Sequence, residues 1–400
     1  NQSINITLIE GNHDIIPHSQ FEDIGIDVTS ALTQGGGIGR YTRELVRAVA
    51  DIDTYNHYQL FSAKPPDILP VPNPLPIGKH IAYKPAPVDE KWLYRLWYRL
   101  RWPVPVQWVT GGLDLVHSPD FVLPPVSGRI PTLLTVHDLS FVHFPHVYTA
   151  PLVQYLNKVV PWSIERATHI LADSEATKDD LLDIWSVAED KVTVLHSGVD
   201  AHFRPVSDNA VLTAVREKYA LGQTPYIFTV GTIQPRKNYQ MLIQAFAKVA
   251  QNHEHNLVIA GGKGWLYDDI LAEVHAQDLV GRVLFTGFVE DGDLPALYSG
   301  ASLFVFPSLY EGFGLPLLEA MACGVPVLSS NASCLPEVAG QAAVLLPPDK
   351  KAAWSEAIAA LLDSPVDRAQ LVASGYARVR QFTWEKSAQQ LLNIYHRLAA

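Results

Sequence analysis

The chain has 400 residues, 48% of them hydrophobic and 18% charged, and a formal charge of −11. This length and apolar content predict two or more domains with large cores and exclude global disorder. The negative balance argues against a nucleic-acid partner held by phosphate neutralisation. Cys323 and Cys334, which lack metal-type spacing, are read as two buried thiols of a reducing compartment. No apolar run reaches the ~18–20 residues of a membrane-spanning helix, and the opening residues lack the basic start and apolar centre of a secretory signal.

Residues 1–23 precede a natural-looking first strand, IGIDVTS, and form an extension with no assigned role, whose run INITLI would add at most one strand. From residue 24 onward, short β-branched runs alternate with amphipathic helices, as in parallel sheets built from βαβ units. The first half is expected to hold strands at 24–28, 59–62, 113–117, 131–136, 169–172 and 192–195, and the second at 226–230, 256–260, 283–285, 303–306, 325–329 and 343–345. Helices are expected at 38–51, 151–167, 175–184, 238–251, 267–278, 316–323, 351–362 and 366–381. Residues 64–90 are rich in Pro and have no period, so they read as a long irregular connection. The stretch DAHFRPVSDN at 200–209 breaks the rhythm and reads as a linker. The expected fold is therefore α/β, with two Rossmann-like domains of similar size facing each other across a cleft. Ligands of such sheets bind beyond the carboxyl ends of the strands, so residues just after strands are the candidates.

The first strand runs into TSALTQGGGIGRYTREL, where Gly35, Gly36, Gly37 and Gly39 precede a helix carrying Arg40 and Arg43. Backbone N–H groups at such a turn can wrap an anion, although a flexible surface loop is the plainer alternative. The run lacks the third glycine of a dinucleotide fingerprint and is no Walker loop. His117 and His137 each end a strand; His137, followed by Asp138, has the stronger claim to a functional role. Residues 91–109, KWLYRLWYRLRWPVPVQWV, interleave Trp92, Trp97, Trp102 and Trp108 with Lys91, Arg95, Arg99 and Arg101. This composition fits a helix lying in a membrane interface, and equally a helix covering the first sheet with its arginines turned outward.

In the second half a strand ends at Val230, and Gly231, Thr232, Arg236 and Lys237 follow before a helix. Two adjacent cations at a helix start are unfavourable unless an anion compensates, and a diphosphate suits them. The most informative stretch is SLYEGFGLPLLEAMACGVP at 308–326. The buried-strand run ASLFVFPS delivers Glu311 to a sheet edge, the glycines make a turn, and Pro316 opens a helix that carries Glu319. Glu319 can accept from a pair of hydroxyls such as those of a ribose. No Ser-His-Asp set, HExxH or clustered metal ligands occur.

These motifs in this order resemble the GT-B glycosyltransferases of family 4, which pair a Gly-rich loop and a basic pair with a Glu-x7-Glu motif. Here they read GGGIGRYTREL, GTIQPRKN and EGFGLPLLE, with further similarity in TVHDLSF, ILADSEATKDDL, VLHSGVD and FTWEKSAQQLLNIY, spanning about residues 24–400. The resemblance implies an N-terminal acceptor domain (24–203), a C-terminal donor domain (204–382) and a last helix (383–400) packing back on the first domain. It further implies that amides at Gly36 and Gly37 approach the donor diphosphate and that Arg236 and Lys237 neutralise it. Glu311, with the amides of Phe313, Gly314 and Leu315, would hold the donor sugar and phosphate, Glu319 the ribose, and His137 would lie against the transferred sugar. Many relatives carry Arg where this chain has Thr232, which places more of the diphosphate's charge on Arg236 and Lys237.

The activity so implied is retaining transfer of a hexose from a nucleotide-diphosphate sugar, with GDP-mannose the first choice, to a glycan or lipid-linked glycan, without metal or other cofactor. Such an enzyme would be cytoplasmic, with peripheral contact at the inner face of the membrane through 91–109 and no nucleic-acid partner. The rival readings are an NAD-type oxidoreductase, disfavoured by the missing glycine, and a non-catalytic sugar-nucleotide-binding protein, disfavoured by the presence of Glu311, Arg236 and Lys237.

Overall fold

The computed structural model describes residues 22–65 and 75–399. The expected strand INITLI, and the 66–74 part of the Pro-rich connection, lie outside them. The chain builds two all-parallel sheets. The first contains β1 (Asp23–Asp27), β2 (His57–Lys64), β3 (Ile81–Asp89), β4 (Leu115–Ser118), β5 (Thr132–Val136), β6 (His169–Ala172) and β7 (Val192–Val194), in the order β3-β2-β1-β4-β5-β6-β7. The second contains β8 (Tyr226–Val230), β9 (Asn256–Ala260), β10 (Val283–Gly287), β11 (Leu303–Phe306), β12 (Val327–Ser330) and β13 (Ala343–Leu346), in the order β10-β9-β8-β11-β12-β13. Both follow the doubly wound pattern, with the strand order reversing between β1 and β4 and between β8 and β11. Those two reversal points open crevices at the carboxyl edges. Strands β5, β6, β9 and β11 are buried along their whole length, as expected where helices cover both faces of a parallel sheet.

One expectation is corrected. Residues 64–90 are not irregular throughout, because Ile81–Asp89 is β3, paired in parallel with β2 from Tyr58↔Ile81 to Ser62↔Pro85. Its sequence IAYKPAPVD hides the strand behind Pro85 and Pro87. Proline cannot donate to a ladder, but β3 lies at the sheet edge, where one side needs no donor. Helix Asn209–Lys218 also appears directly after the linker; Asp208 caps it by accepting from the Ala210 N–H at 2.8 Å.

The segment 91–109 is not one helix. An α-helical turn, Glu90–Tyr94, widens into a π-helical turn, Arg95–Arg99, and the chain then breaks before the short helix Gln107–Thr110. Pro103 and Pro105, which lack the N–H a helix needs, account for the break. Its tryptophans divide: Trp97 is buried and donates to the Val104 carbonyl at 2.9 Å, whereas Trp92, Trp102 and Trp108 are exposed.

The last helix, Trp384–Ala399, returns to the first domain. Tyr395 bonds His117 Nδ1 at 2.7 Å, and Gln390 donates to the Val194 carbonyl at 2.8 Å. Leu391, Ile394 and Tyr395 join the core formed by Ile24, Ile26, Leu45 and Val49. His117 is therefore a core residue, with Thr135 Oγ1 on its other nitrogen at 3.2 Å and burial pushing its pKa down to about 3. Cys323 and Cys334 are buried free thiols, as expected.

Candidate active site

The two carboxyl edges face each other across a cleft of about 640 Å³. Its wall contains the ten residues to which the family resemblance gives a role, Gly36, Gly37, His137, Arg236, Lys237, Glu311, Phe313, Gly314, Leu315 and Glu319, but not the other strand-end candidate, His117. Arg236 and Lys237 follow β8 and Glu311 follows β11, so they flank the reversal point of the second sheet. One carboxylate unites them. Arg236 donates to Glu311 Oε2 at 2.8 Å and Lys237 to Glu311 Oε1 at 2.6 Å. Burial pushes the Glu311 carboxyl up, but the two cations outweigh it and hold the group at about 2. Burial lowers the pKa of the Lys237 ammonium and Glu311 opposes that, while Arg236 stays charged; with the lysine protonated the centre has two positive charges against one negative to offer an anion. Ser333 Oγ accepts from the Glu311 N–H at 2.9 Å and fixes the loop.

Two helix N-termini open into the same space. Gly37 starts the helix Gly37–Ile52, and Leu315 starts the helix Leu315–Ala322. Their first N–H groups have no acceptor within the helix and carry the positive end of its dipole. A Cβ built on Gly36 or Gly37 would meet nothing within 4 Å, so the chain is bare toward the cleft there. Gly39 differs, since its Cβ would lie 2.0 Å from the Gln34 carbonyl oxygen. The glycine run thus has two functions: the first residues expose backbone, and Gly39 permits the turn to pack. Arg43, on the same helix, is buried and donates to the Ala31 and Gln34 carbonyls at 3.0 and 2.9 Å, so it braces the loop and does not reach a ligand.

Arg40 was not separated from Arg43 by the sequence, yet it spans the cleft. From the first domain its guanidinium donates to Glu319 and to Asp291 of the second. Tyr298 Oη donates to the other Glu319 oxygen at 2.8 Å. Further contacts hold the domains together: Trp265 Nε1 donates to the Val147 carbonyl at 2.7 Å, Tyr310 bonds Asp180, and Glu337 accepts from His196 at 2.6 Å and from the Glu175 N–H. Trp265 and Asp291 follow β9 and β10 on the carboxyl edge of the second sheet and carry no local motif; the rule that residues just after strands are candidates was the signal that could have found them.

His137 sits just past β5 with both ring nitrogens engaged. Nδ1 faces Asp173 Oδ2 at 2.8 Å and Nε2 faces the Pro119 carbonyl at 3.1 Å. The Pro119 carbonyl only accepts, so Nε2 donates; at Nδ1 the proton is shared with Asp173, whose carboxyl is pushed up by burial against the pull of the ring. Burial lowers the His137 pKa, but Asp173 and its hydrogen bond overcome this and bring it to about 9. The His137–Asp173 pair thus holds its proton at neutral pH, and both ring nitrogens are occupied. A raised pKa contributes stability below the ordinary value of 6.5, and that contribution is lost as pH rises through about 9. Wild-type thermal stability should fall across that window by at most about 3 kcal/mol, and Asp173→Asn should flatten the fall. Identical pH–stability curves for the two proteins would remove this assignment.

The domains approach each other closely at Gly312. A Cβ there would lie 2.0 Å from the His137 carbonyl oxygen. Gly312→Ala should hold the cleft open by part of an ångström or more, and misplacement of that size costs on the order of 100-fold in kcat/KM. Near-wild-type turnover, or unchanged small-angle scattering with donor bound, would show that the contact is slack.

The sequence matches two family models. Residues 35–203 match Glycosyltransferase Family 4, and residues 213–378 match Glycosyl transferases group 1. The O-antigen chain mannosyltransferase B of Escherichia coli is 33% identical over 90% of this chain and 95% of its own. The chain belongs to glycosyltransferase family 4. Solved structures agree on the fold. Sucrose-phosphate synthase from Thermosynechococcus elongatus superposes with a TM-score of 0.72 at 23% identity, covering 94% of this chain and 99% of that one. Anabaena HepE, in complex with UDP and glucose, gives 0.71 at 16% identity over 94% and 100% of the two chains. The enzyme is thus a GT-B hexosyltransferase, similar to mannosyltransferases, and its cleft is the meeting of the two sheet edges described above. Among the described residues of this glycosyltransferase, no helix is long and apolar enough to cross a membrane.

Proposed function

We propose that the enzyme transfers mannose from GDP-mannose to a glycan or lipid-linked glycan, retains the configuration of the anomeric carbon, and uses no metal. The observation that carries this reading is the Arg236–Glu311–Lys237 centre, which lies in one cleft with two helix N-termini. Cleavage of the sugar–phosphate bond leaves growing negative charge on the diphosphate. Preorganised cations and N–H groups stabilise that charge where it develops. When the donor enters, Arg236 and Lys237 turn to the diphosphate, and the Glu311 carboxylate becomes free to accept from sugar hydroxyls together with the amides of Phe313, Gly314 and Leu315. The amides at Gly36 and Gly37 approach the diphosphate from the opposite wall. The ribose diol takes the Glu319 oxygen that Arg40 now occupies. The ring of His137, its proton held by the pair with Asp173, lies against the transferred sugar. The acceptor hydroxyl attacks the anomeric carbon from the face the diphosphate leaves, and a leaving-phosphate oxygen takes its proton, so no separate base is needed.

Mannose is favoured because the E. coli relative, named as a mannosyltransferase, aligns along nearly its whole length. The enzyme is read as cytoplasmic, with peripheral contact at the inner membrane face. Thermal-shift measurements with GDP, UDP and dTDP test the donor. A nucleotide at 100 times its Kd adds about 2.7 kcal/mol of stability. GDP should give the largest shift; a larger shift with UDP would overturn the guanine assignment, and no shift with any of the three would overturn the donor site.

A further inference from the structure

The first domain contains a second cavity, of about 840 Å³, between the 90–101 segment and the helix Ala150–Arg166. Five cations line it: Lys91, Arg95, Arg99, Arg101 and Lys158. Glu90 is the one acidic residue in its wall. Among the described residues, none of the five cations has a carboxylate within ion-pair distance. On a chain of charge −11, five unpaired cations around one hollow are not a solvated face of average composition. They repel one another and are best satisfied by a shared anion. The backbone here departs from regular structure to place them. The π-helical turn Arg95–Arg99 carries two, and Arg101 adopts a left-handed φ of 51° with its guanidinium 4.9 Å from the Trp162 ring centroid.

Two neighbouring features narrow the anion's chemistry. Trp92, Leu100 and Trp102, on the same segment, are 55%, 65% and 56% exposed. Large apolar side chains standing in water beside cations match a bilayer interface. On the inner side, the cavity shares Glu90, Tyr94 and Tyr98 with a small pocket whose wall includes Asp27, which ends β1, and Asp120, just after β4. Pro119, beside Asp120, is the hydrogen-bond partner of His137 in the reaction cleft. The cation-lined cavity thus has exposed apolar side chains on its own segment and adjoins a pocket that touches the His137 partner through Asp120 and Pro119.

We propose that this cavity binds the diphosphate of a membrane-held, lipid-linked acceptor, with the exposed tryptophans seated in the headgroup region and the glycan directed along Asp27 and Asp120 to the cleft. The proposal rests on the lipid-linked acceptor reading above. It assigns the acceptor's anchor to residues outside the donor site, which makes the two separable.

Vesicle flotation tests it, with phosphatidylcholine alone, with added phosphatidylglycerol, and with a polyprenyl diphosphate at matched surface charge. The wild type should bind the polyprenyl diphosphate vesicles about tenfold more tightly than the phosphatidylglycerol vesicles, which corresponds to about 1.4 kcal/mol. The triple variant Arg95→Gln/Arg99→Gln/Lys158→Gln changes exposed side chains and should lose that preference while keeping the wild-type thermal shift with GDP. Equal binding to the two anionic vesicles would reduce the patch to general surface electrostatics, and undiminished preference in the variant would place the site elsewhere; either overturns the proposal. So would inorganic pyrophosphate bound as tightly as the lipid, which would point to a free anion. Vesicle preference without any GDP shift in the wild type would instead sink the donor reading and leave this site standing.

Discussion

Lys237→Ala is expected to lower kcat/KM by roughly 30- to 900-fold, the equivalent of about 2–4 kcal/mol of transition-state stabilisation. The lysine ammonium is buried, sits 2.6 Å from Glu311 and lies 5.0 Å from the Phe306 ring centroid. Truncation removes one of the two cations that turn to the leaving diphosphate. Arg236→Ala should cost a similar amount, because its guanidinium shares the carboxylate and is fixed by the Tyr310 carbonyl at 2.7 Å. Charge that develops only as the bond breaks should appear mainly in kcat, with a smaller change in KM. Activity within twofold of wild type for both variants would remove the diphosphate assignment.

Glu311→Gln is expected to be the more damaging to the fold. It leaves Arg236 and Lys237 buried without their shared counter-charge, a change that costs about 3–5 kcal/mol for a buried pair broken on one side. In a domain of this size each kcal/mol corresponds to about 2–4 °C, so the donor domain should melt markedly earlier. The pH behaviour gives an independent reading. A carboxyl held at about 2, below its ordinary 4.5, contributes stability that is fully present above 4.5 and is lost as pH falls through about 2. The wild type should show this acid limb, and the glutamine variant should lack it. Because the two freed cations still attract a diphosphate, saturating GDP should recover part of the lost stability in the variant. A variant that melts like wild type and turns over at its rate would mean that the carboxylate is dispensable in both roles.

The resemblance between the site and the sequence has a physical basis. The cations after β8 and the glutamate after β11 are specified by local order: a buried apolar run, a turn, then a charged residue that cannot be buried unpaired. That Arg236–Lys237 come shortly after one strand and Glu311 shortly after another follows from the apolar runs 226–230 and 303–306 alone. The pairing between them does not, since it needs β8 and β11 to be neighbours in the sheet. For the same reason the text of the chain separates Arg40 from Glu319 by 279 positions, and only domain closure makes them partners. His137 shows the converse. Its place at a strand end was legible, but its protonation depends on Asp173, 36 residues away on the neighbouring strand's edge.

What the sequence by itself determined was the two-domain α/β fold and most strand and helix positions, because hydrophobic period, helix-start chemistry and turn glycines are local properties, while the ten candidate residues that lie at the cleft came from those local signals together with the resemblance to family 4. The tertiary structure decided four further points. It made β3 a strand despite its prolines, since an edge tolerates missing donors. It split 91–109 into a buried Trp97 and exposed neighbours, since composition records which side chains are amphipathic but not which way a broken helix turns. It assigned Arg43 to bracing and Arg40 to the cleft, although they lie three residues apart on one helix. And it brought Lys158 to the cluster Lys91, Arg95, Arg99 and Arg101 around one hollow, since a charge distant along the chain joins such a cluster only once packing has fixed the space between them.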